Sequence, residues 1–171
     1  MDNLHITPYV LRSLIDIQKY AKIDIQKNID LAKAYLEQNQ NTSDDIDRSQ
    51  IVWALAKAKS TNIDRDFIVE KLKSKDLNIT SRIFYTYALV EIDAKKYSQT
   101  IAESIEIIKK SNLDKSEYYR DSDSNNAIFI SLLIDFWGND DFVNTQIEEF
   151  YKKDLSSYYY STQTKNNIFI S

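Results

Sequence analysis

In 171 residues this chain has one glycine, Gly138, and one proline, Pro8. Glycine supplies the positive-φ positions of tight hairpins, and the two residues together punctuate short strands. A sheet protein of this length needs many such turns, so an all-β fold is excluded. The glycine-rich phosphate cradles of the dinucleotide-binding and P-loop kinds are excluded with it. What remains is long, uninterrupted regular backbone. Apolar residues recur at intervals of three and four nearly throughout, which is the helical period. The chain is therefore predicted to be all-α.

The counts narrow the chemistry further. Cysteine is absent and histidine occurs once, as His5. No disulfide framework, thiolate metal site, cysteine nucleophile or histidine-rich metal centre can be built from that inventory. No cofactor is expected. Apolar residues make up 43%, enough for a packed core, and the formal charge is −4. A nucleic-acid partner would require concentrated Lys and Arg, so none is expected. The longest nearly apolar stretch, Ala127 to Ile134, falls far short of the roughly 20 residues of a membrane span. The opening Met1-Asp2-Asn3-Leu4-His5 lacks the basic and apolar regions of a signal peptide.

Periodicity predicts nine helices. The first runs from Pro8 to Ala21, with Thr7 as its cap and Pro8 at the first helical position. The second covers Asp24 to Gln38, and the polar stretch Asn39 to Ile46 reads as a loop. The third starts after Asp47, where Gln50 completes a capping box, and carries Ile51, Val52, Leu55 and Ala58. Further helices are predicted over Asp64–Lys73, from Thr80 to Asp93, over Tyr97–Lys110, over Asn125–Trp137 and over Asp140–Lys153. Gly138 suits a left-handed cap at the end of the seventh. The polar run Ser111 to Asn126 and the segment Asp154 to Ser161 read as loops, and a ninth helix opens near Thr162.

The odd-numbered helices resemble one another. Aligned on Leu14, Leu55, Leu89 and Leu133, they read Val10-Leu11-Arg12-Ser13-Leu14, Ile51-Val52-Trp53-Ala54-Leu55, Tyr85-Thr86-Tyr87-Ala88-Leu89 and Phe129-Ile130-Ser131-Leu132-Leu133. The anchors lie 41, 34 and 44 residues apart. Asn126-Ala127-Ile128-Phe129-Ile130-Ser131 nearly recurs as Asn166-Asn167-Ile168-Phe169-Ile170-Ser171. Such a period with two helices per unit marks a helical-hairpin array. Odd helices are apolar over most of their circumference and are predicted to be inner. Even helices carry one apolar stripe and are predicted to be outer. The expected architecture is a partial α/α toroid of terpenoid-cyclase type, about four and a half hairpins in one domain over residues 1–171.

Three motifs carry a resemblance. Leu4-His5-Ile6-Thr7-Pro8-Tyr9-Val10-Leu11-Arg12-Ser13-Leu14 resembles a helix opening in the thioester-containing domain of the alpha-2-macroglobulin and complement family. Asp123-Ser124-Asn125-Asn126-Ala127-Ile128 looks like the start of a late inner helix there. Ser161-Thr162-Gln163 resembles the start of the next inner helix and is the most specific of the three. Two positions depart: Pro8 stands where the family has Ala, and Tyr158-Tyr159-Tyr160 stands where it has a glycine-rich turn.

The resemblance spans essentially the whole chain. It implies the C-terminal part of the thioester domain, a twelve-helix toroid, or a degenerate copy of that domain, in a bacterial alpha-2-macroglobulin-like endopeptidase inhibitor. The implied location is the periplasm or cell envelope. The family's reactive centre is a Cys–Gln thioester upstream of these helices, and no residue here supplies its thiol. His5 does not match the position of the histidine that directs acyl transfer in some members. The implied role is a non-catalytic scaffold whose partners are proteases or other domains of the same polypeptide. The faces left uncovered near the first and last helices are expected to expose apolar side chains and to self-associate.

The residues also admit other readings. A stand-alone α/α-repeat protein-binding module is one, and an α/α-barrel enzyme is another. The acidic groups Asp44, Asp45 and Asp47, and Asp114, Glu117, Asp121 and Asp123, could serve as a glycosidase pair or a cation loop. They lack ligand spacing and a glycine for the turn, and read as solvated loop charge. Trp53 and Trp137 read as core, and His5 as a solvent-facing residue of a frayed terminus. Tyr158, Tyr159, Tyr160, Ser161, Thr162 and Gln163 form the candidate protein-contact patch, with Tyr151 preceding it. Asn41-Thr42-Ser43 and Asn78-Ile79-Thr80 match the glycosylation sequon by coincidence.

Overall fold

The computed structural model describes residues 4–42, 44–111, 122–137 and 141–152. Its elements are α1 (Thr7–Ala21), α2 (Gln26–Asn39), α3 (Asp45–Lys57), α4 (Arg65–Lys73), α5 (Ile79–Asp93), α6 (Ser98–Lys110), α7 (Ser122–Trp137) and α8 (Asp141–Lys152). Every element among the described residues is a helix, so the all-α class holds. The predicted ninth helix lies outside the described residues, as does Gly138.

The chain divides into two compact units, Met1–Ile105 and Glu106–Ser171. In the first, α3 lies between α1 and α5, with α2 packed on α1 and α3, and α4 on α5. Alternate helices are thus neighbours, as the hairpin repeat requires. Helix α5 buries ten consecutive residues, Thr80 to Leu89, and α3 buries Ile51 to Ala56 without a break. A helix buried on successive residues is covered all round its axis. By contrast α2 buries only Ile29 and Leu36, and α4 only Ile68 and Leu72. These are the single stripes of outer helices. One core cluster joins Leu11, Ile29, Leu36, Ile51, Ala54 and Leu55, fastening α3 to the α1/α2 hairpin.

The second unit holds the end of α6 together with α7 and α8, which pack on each other. Ala127 and Ile130 of α7 form its core cluster with Ile147 of α8. Phe129, Leu132 and Leu133 of α7 and Val143 of α8 are also buried.

The caps depart from the sequence expectation at the starts of α1 and α3. Helix α1 begins at Thr7 itself, and its N-cap Ile6 makes no side-chain capping bond. Helix α3 begins at Asp45, because Asp44 accepts hydrogen bonds from the Ile46 and Asp47 amides, both at 2.9 Å. Four acidic or polar residues in a row offered several possible caps, and Asp44 is the one that satisfies two orphan amides at once. The C-terminus of α3 closes in a Schellman motif: Ser60 N–H donates to the Leu55 carbonyl and Lys59 N–H to that of Ala56. The left-handed position falls on Lys59, with φ 53°, and α1 likewise ends on Lys22 at φ 54°. A chain nearly free of glycine places lysine where glycine costs less, by about 1 kcal/mol.

Candidate functional site

The anchor register becomes spatial in the first unit. The residue two before each anchor leucine is Arg12, Trp53 or Tyr87, and these three stack across α1, α3 and α5. The Arg12 guanidinium lies 3.6 Å from the centroid of the Trp53 ring. On its other side Trp53 stacks on Tyr87 at 4.6 Å and on Phe84 at 5.5 Å, with interplanar angles of 27° and 19°. Cation–π and aromatic contacts of this kind contribute about 0.5–2 kcal/mol each.

Arg12 is buried, and its Nε and Nη2, like Trp53 Nε1, have no hydrogen-bond partner. Burial pulls its pKa down from the usual guanidinium range to about 10, partly offset by Tyr87, Asp16 and Tyr9. Desolvation disfavours a charge held chiefly by a ring face. It is still a cation at neutral pH.

Two residues after the anchors come Asp16, Lys57 and Glu91, about one turn above that stack. Lys57 Nζ pairs with Asp16 at 2.7 Å, joining α3 to α1. Lys59 donates to the Glu91 carbonyl at 2.9 Å and pairs with its carboxylate at 3.3 Å, joining the end of α3 to α5. Asp16 and Lys57 meet at the same register, whereas Glu91 is met by Lys59, one half-turn further along α3.

The second buried arginine behaves differently. Arg82 Nη1 donates to the Leu72 carbonyl at 2.7 Å and Nη2 to that of Ser74 at 2.6 Å. These are the bare carbonyls at the end of α4, so Arg82 caps one helix from inside another. Burial lowers its pKa too. Close by, Arg48 lies 3.6 Å over the Phe67 ring, and Phe67 meets Tyr85 edge-on at 6.1 Å. The Tyr85 hydroxyl is buried without a partner; burial first, and the charge of Asp45 second, push its pKa up. On the outer side of α5, Thr86 Oγ1 donates to the Arg82 carbonyl at 2.7 Å and meets Ser104 Oγ of α6 at 2.6 Å.

The acidic cluster at 44–47 is not solvated loop charge. Asp44 caps α3, Asp45 pairs with Lys71 at 2.7 Å, and Asp47 is buried with His5 Nδ1 at 2.7 Å from its carboxylate. His5 is 68% exposed but tied to α3, so the terminal segment is docked there rather than frayed. Among the described residues no group of three or more His, Asp or Glu could hold a metal ion. Trp53 is core as expected. Trp137 ends α7, and its side chain is outside the described set, as are those of Asp114, Glu117, Asp121, Asp123 and Tyr151. The contact patch Tyr158, Tyr159, Tyr160, Ser161, Thr162 and Gln163 also lies outside the described residues.

One surface stands apart. The large exposed apolar residues of the first unit are Ile6, Val10, Ile17 and Tyr20 on α1 and its N-cap, Ile23 just beyond it, and Leu31 on α2. The expected exposure at the first helix is present.

No protein-family model, curated protein or solved structure matches this chain. No helix among the described residues is long and apolar enough to cross a membrane.

Proposed function

We propose that this chain is a non-catalytic helical-hairpin scaffold that works by binding protein. The observation that supports this best is the shared register of α1, α3 and α5. Polar groups that chemistry could use are instead spent along it as stacks, caps and interhelical clasps. Arg12, Arg82, Asp44, Asp45 and Asp47 each hold one segment of the backbone to another.

The narrower form of the proposal follows the sequence resemblance: a portion of the α/α toroid of a bacterial alpha-2-macroglobulin-like protease-trapping protein, in the periplasm or cell envelope. Its mechanism is shielding of a protease through domain rearrangement, with no residue here acting on a bond. The second reading is a stand-alone α/α-repeat module. It is favoured by the core that Met1–Ile105 holds of its own.

The gene on either side decides between them. Immunoglobulin-like β-domains in the same reading frame, with an upstream Cys–Gln thioester motif, support the inhibitor scaffold. Stop codons enclosing the segment without such domains contradict it and leave the module.

A further inference from the structure

Among the described residues, the polar group least provided for is the Arg12 guanidinium. It is 6% exposed, and its Nε and Nη2 have no hydrogen-bond partner. These two nitrogens share one edge of the planar group, the edge that presents two parallel N–H donors. Trp53, also 6% exposed, lies under the guanidinium at 3.6 Å, and its Nε1 is a third donor without a partner. The ring face attracts the charge of Arg12 but accepts none of its in-plane N–H groups. Buried donors are nearly always satisfied, so three of them on two touching side chains mark a place where an acceptor belongs.

The carboxylate next along α1 is already committed. Asp16 stands one turn on from Arg12 and helps to keep it charged, but accepts Lys57 Nζ on both of its oxygens, at 2.7 and 2.8 Å. We infer that the Nε–Nη2 edge of Arg12 binds a small carboxylate, seated between α1 and α3 beside the Trp53 indole. The two oxygens of a carboxylate match the spacing of the two N–H groups, and a halide offers no second oxygen for the pair. A divalent sulfate or phosphate would leave a net negative charge buried, whereas a monovalent carboxylate neutralises the cation.

Both nitrogens are shut off from solvent, which restricts the ligand to a small molecule that enters as α1 lifts from α3. Helix α1 is held by little, since Pro8, Leu11 and Arg12 are its only buried residues. Once bound, the carboxylate fastens α1 to the ring beneath it. A ligand of three heavy atoms is limited to an affinity of about 1 mM at best. The site goes beyond the scaffold reading, and its failure leaves the test by gene context untouched.

Sodium formate is the probe, balanced with sodium chloride to constant ionic strength. In urea titrations, formate at ten times its half-saturating concentration should lower the unfolding equilibrium constant of the parent about tenfold. Arg12→Met should show no such response. Arg12→Lys keeps the charge but not the paired donors, and should respond at least tenfold more weakly. Circular dichroism checks that both variants fold. A second readout needs no stable variant: the Arg12 Nε–H resonance, identified by its loss in either substitution, should shift with formate and saturate at about 1–50 mM. The proposal is overturned if that resonance stays in place up to about 0.3 M formate. It is overturned equally if formate and chloride act alike on the parent, or if R12K or R12M responds as the parent does.

Discussion

Helices α1 and α5 are both 15 residues long and occupy the same place in the repeat. Helix α5 is buried over ten consecutive residues, whereas α1 buries only Pro8, Leu11 and Arg12. The two share the anchor register, but α1 is the more polar, carrying Arg12, Asp16, Gln18 and Lys19 where α5 runs almost wholly apolar from Ile83 to Val90. Position adds to the difference: α5 packs on α3 and α4, with Phe67 of α4 against Tyr85, and its Thr86 meets Ser104 of α6. Helix α1 has α2 and α3 on one side only. An apolar circumference states what a helix can bury, and its neighbours decide how much it does.

Matched truncations of the anchors should break or sharpen this contrast most. Leu89 is fully buried, and Leu14 is half-buried. Leu89→Ala should destabilise the fold by about 3–5 kcal/mol, and Leu14→Ala by about 1–2, in urea titrations followed by circular dichroism. Equal losses would mean that α1 is as enclosed as α5.

The two arginines give the next largest contrast. Arg82→Met removes two hydrogen bonds to the end of α4 and should cost about 2–3 kcal/mol. Arg12→Met keeps the bulk against Trp53 and removes a buried cation, so its effect should be neutral or stabilising by about 1 kcal/mol. The pH dependence has a fixed sign. Burial holds the pKa of folded Arg12 down to about 10, below that of the unfolded side chain. Between these values the unfolded state binds more protons, so this group's contribution to stability rises with pH. Below pH 10 the whole penalty of burying the charge is present, and R12M should show its benefit there.

The smallest effect is at Tyr85, whose hydroxyl is buried without a partner. Tyr85→Phe should raise stability by about 0.5–1 kcal/mol, since it removes an unsatisfied polar group and leaves the ring against Phe67. A loss of more than 1 kcal/mol would show that the hydroxyl has a partner in solution.

Much of this was legible from residue order. The three-and-four spacing placed the eight described helices to within about three residues. The leucine anchors gave the repeat, and the near absence of glycine gave the class. Apolar circumference against apolar stripe separated α3 and α5 from α2 and α4 in burial, but it failed at α1, read as an inner helix, which buries only Pro8, Leu11 and Arg12 because its sequence carries a single apolar-to-polar gradient.

What stayed hidden depends on distant partners. Arg12 aligned with Trp53 and Tyr87 in the repeat, but nothing in a row of residues says that a cation will lie on an indole. The clasps Asp16–Lys57 and Lys59–Glu91 span 41 and 32 residues and follow from the register only once the helices are side by side. Asp44, Asp45 and Asp47 looked like one acidic run, yet one caps, one pairs with Lys71 and one is buried beside His5. Local sequence gives a carboxylate's position, and the fold gives its use.

The most direct test compares one register position in three helices. Ser13→Cys, Ala54→Cys and Ala88→Cys each place a single thiol one residue before an anchor leucine, with almost no change in volume. In dilute, folded protein, a thiol reagent should label S13C markedly faster than A54C or A88C, because Ser13 is half-buried whereas Ala54 and Ala88 are fully buried. Equal labelling of all three would contradict the enclosure of α3 and α5 and its contrast with α1.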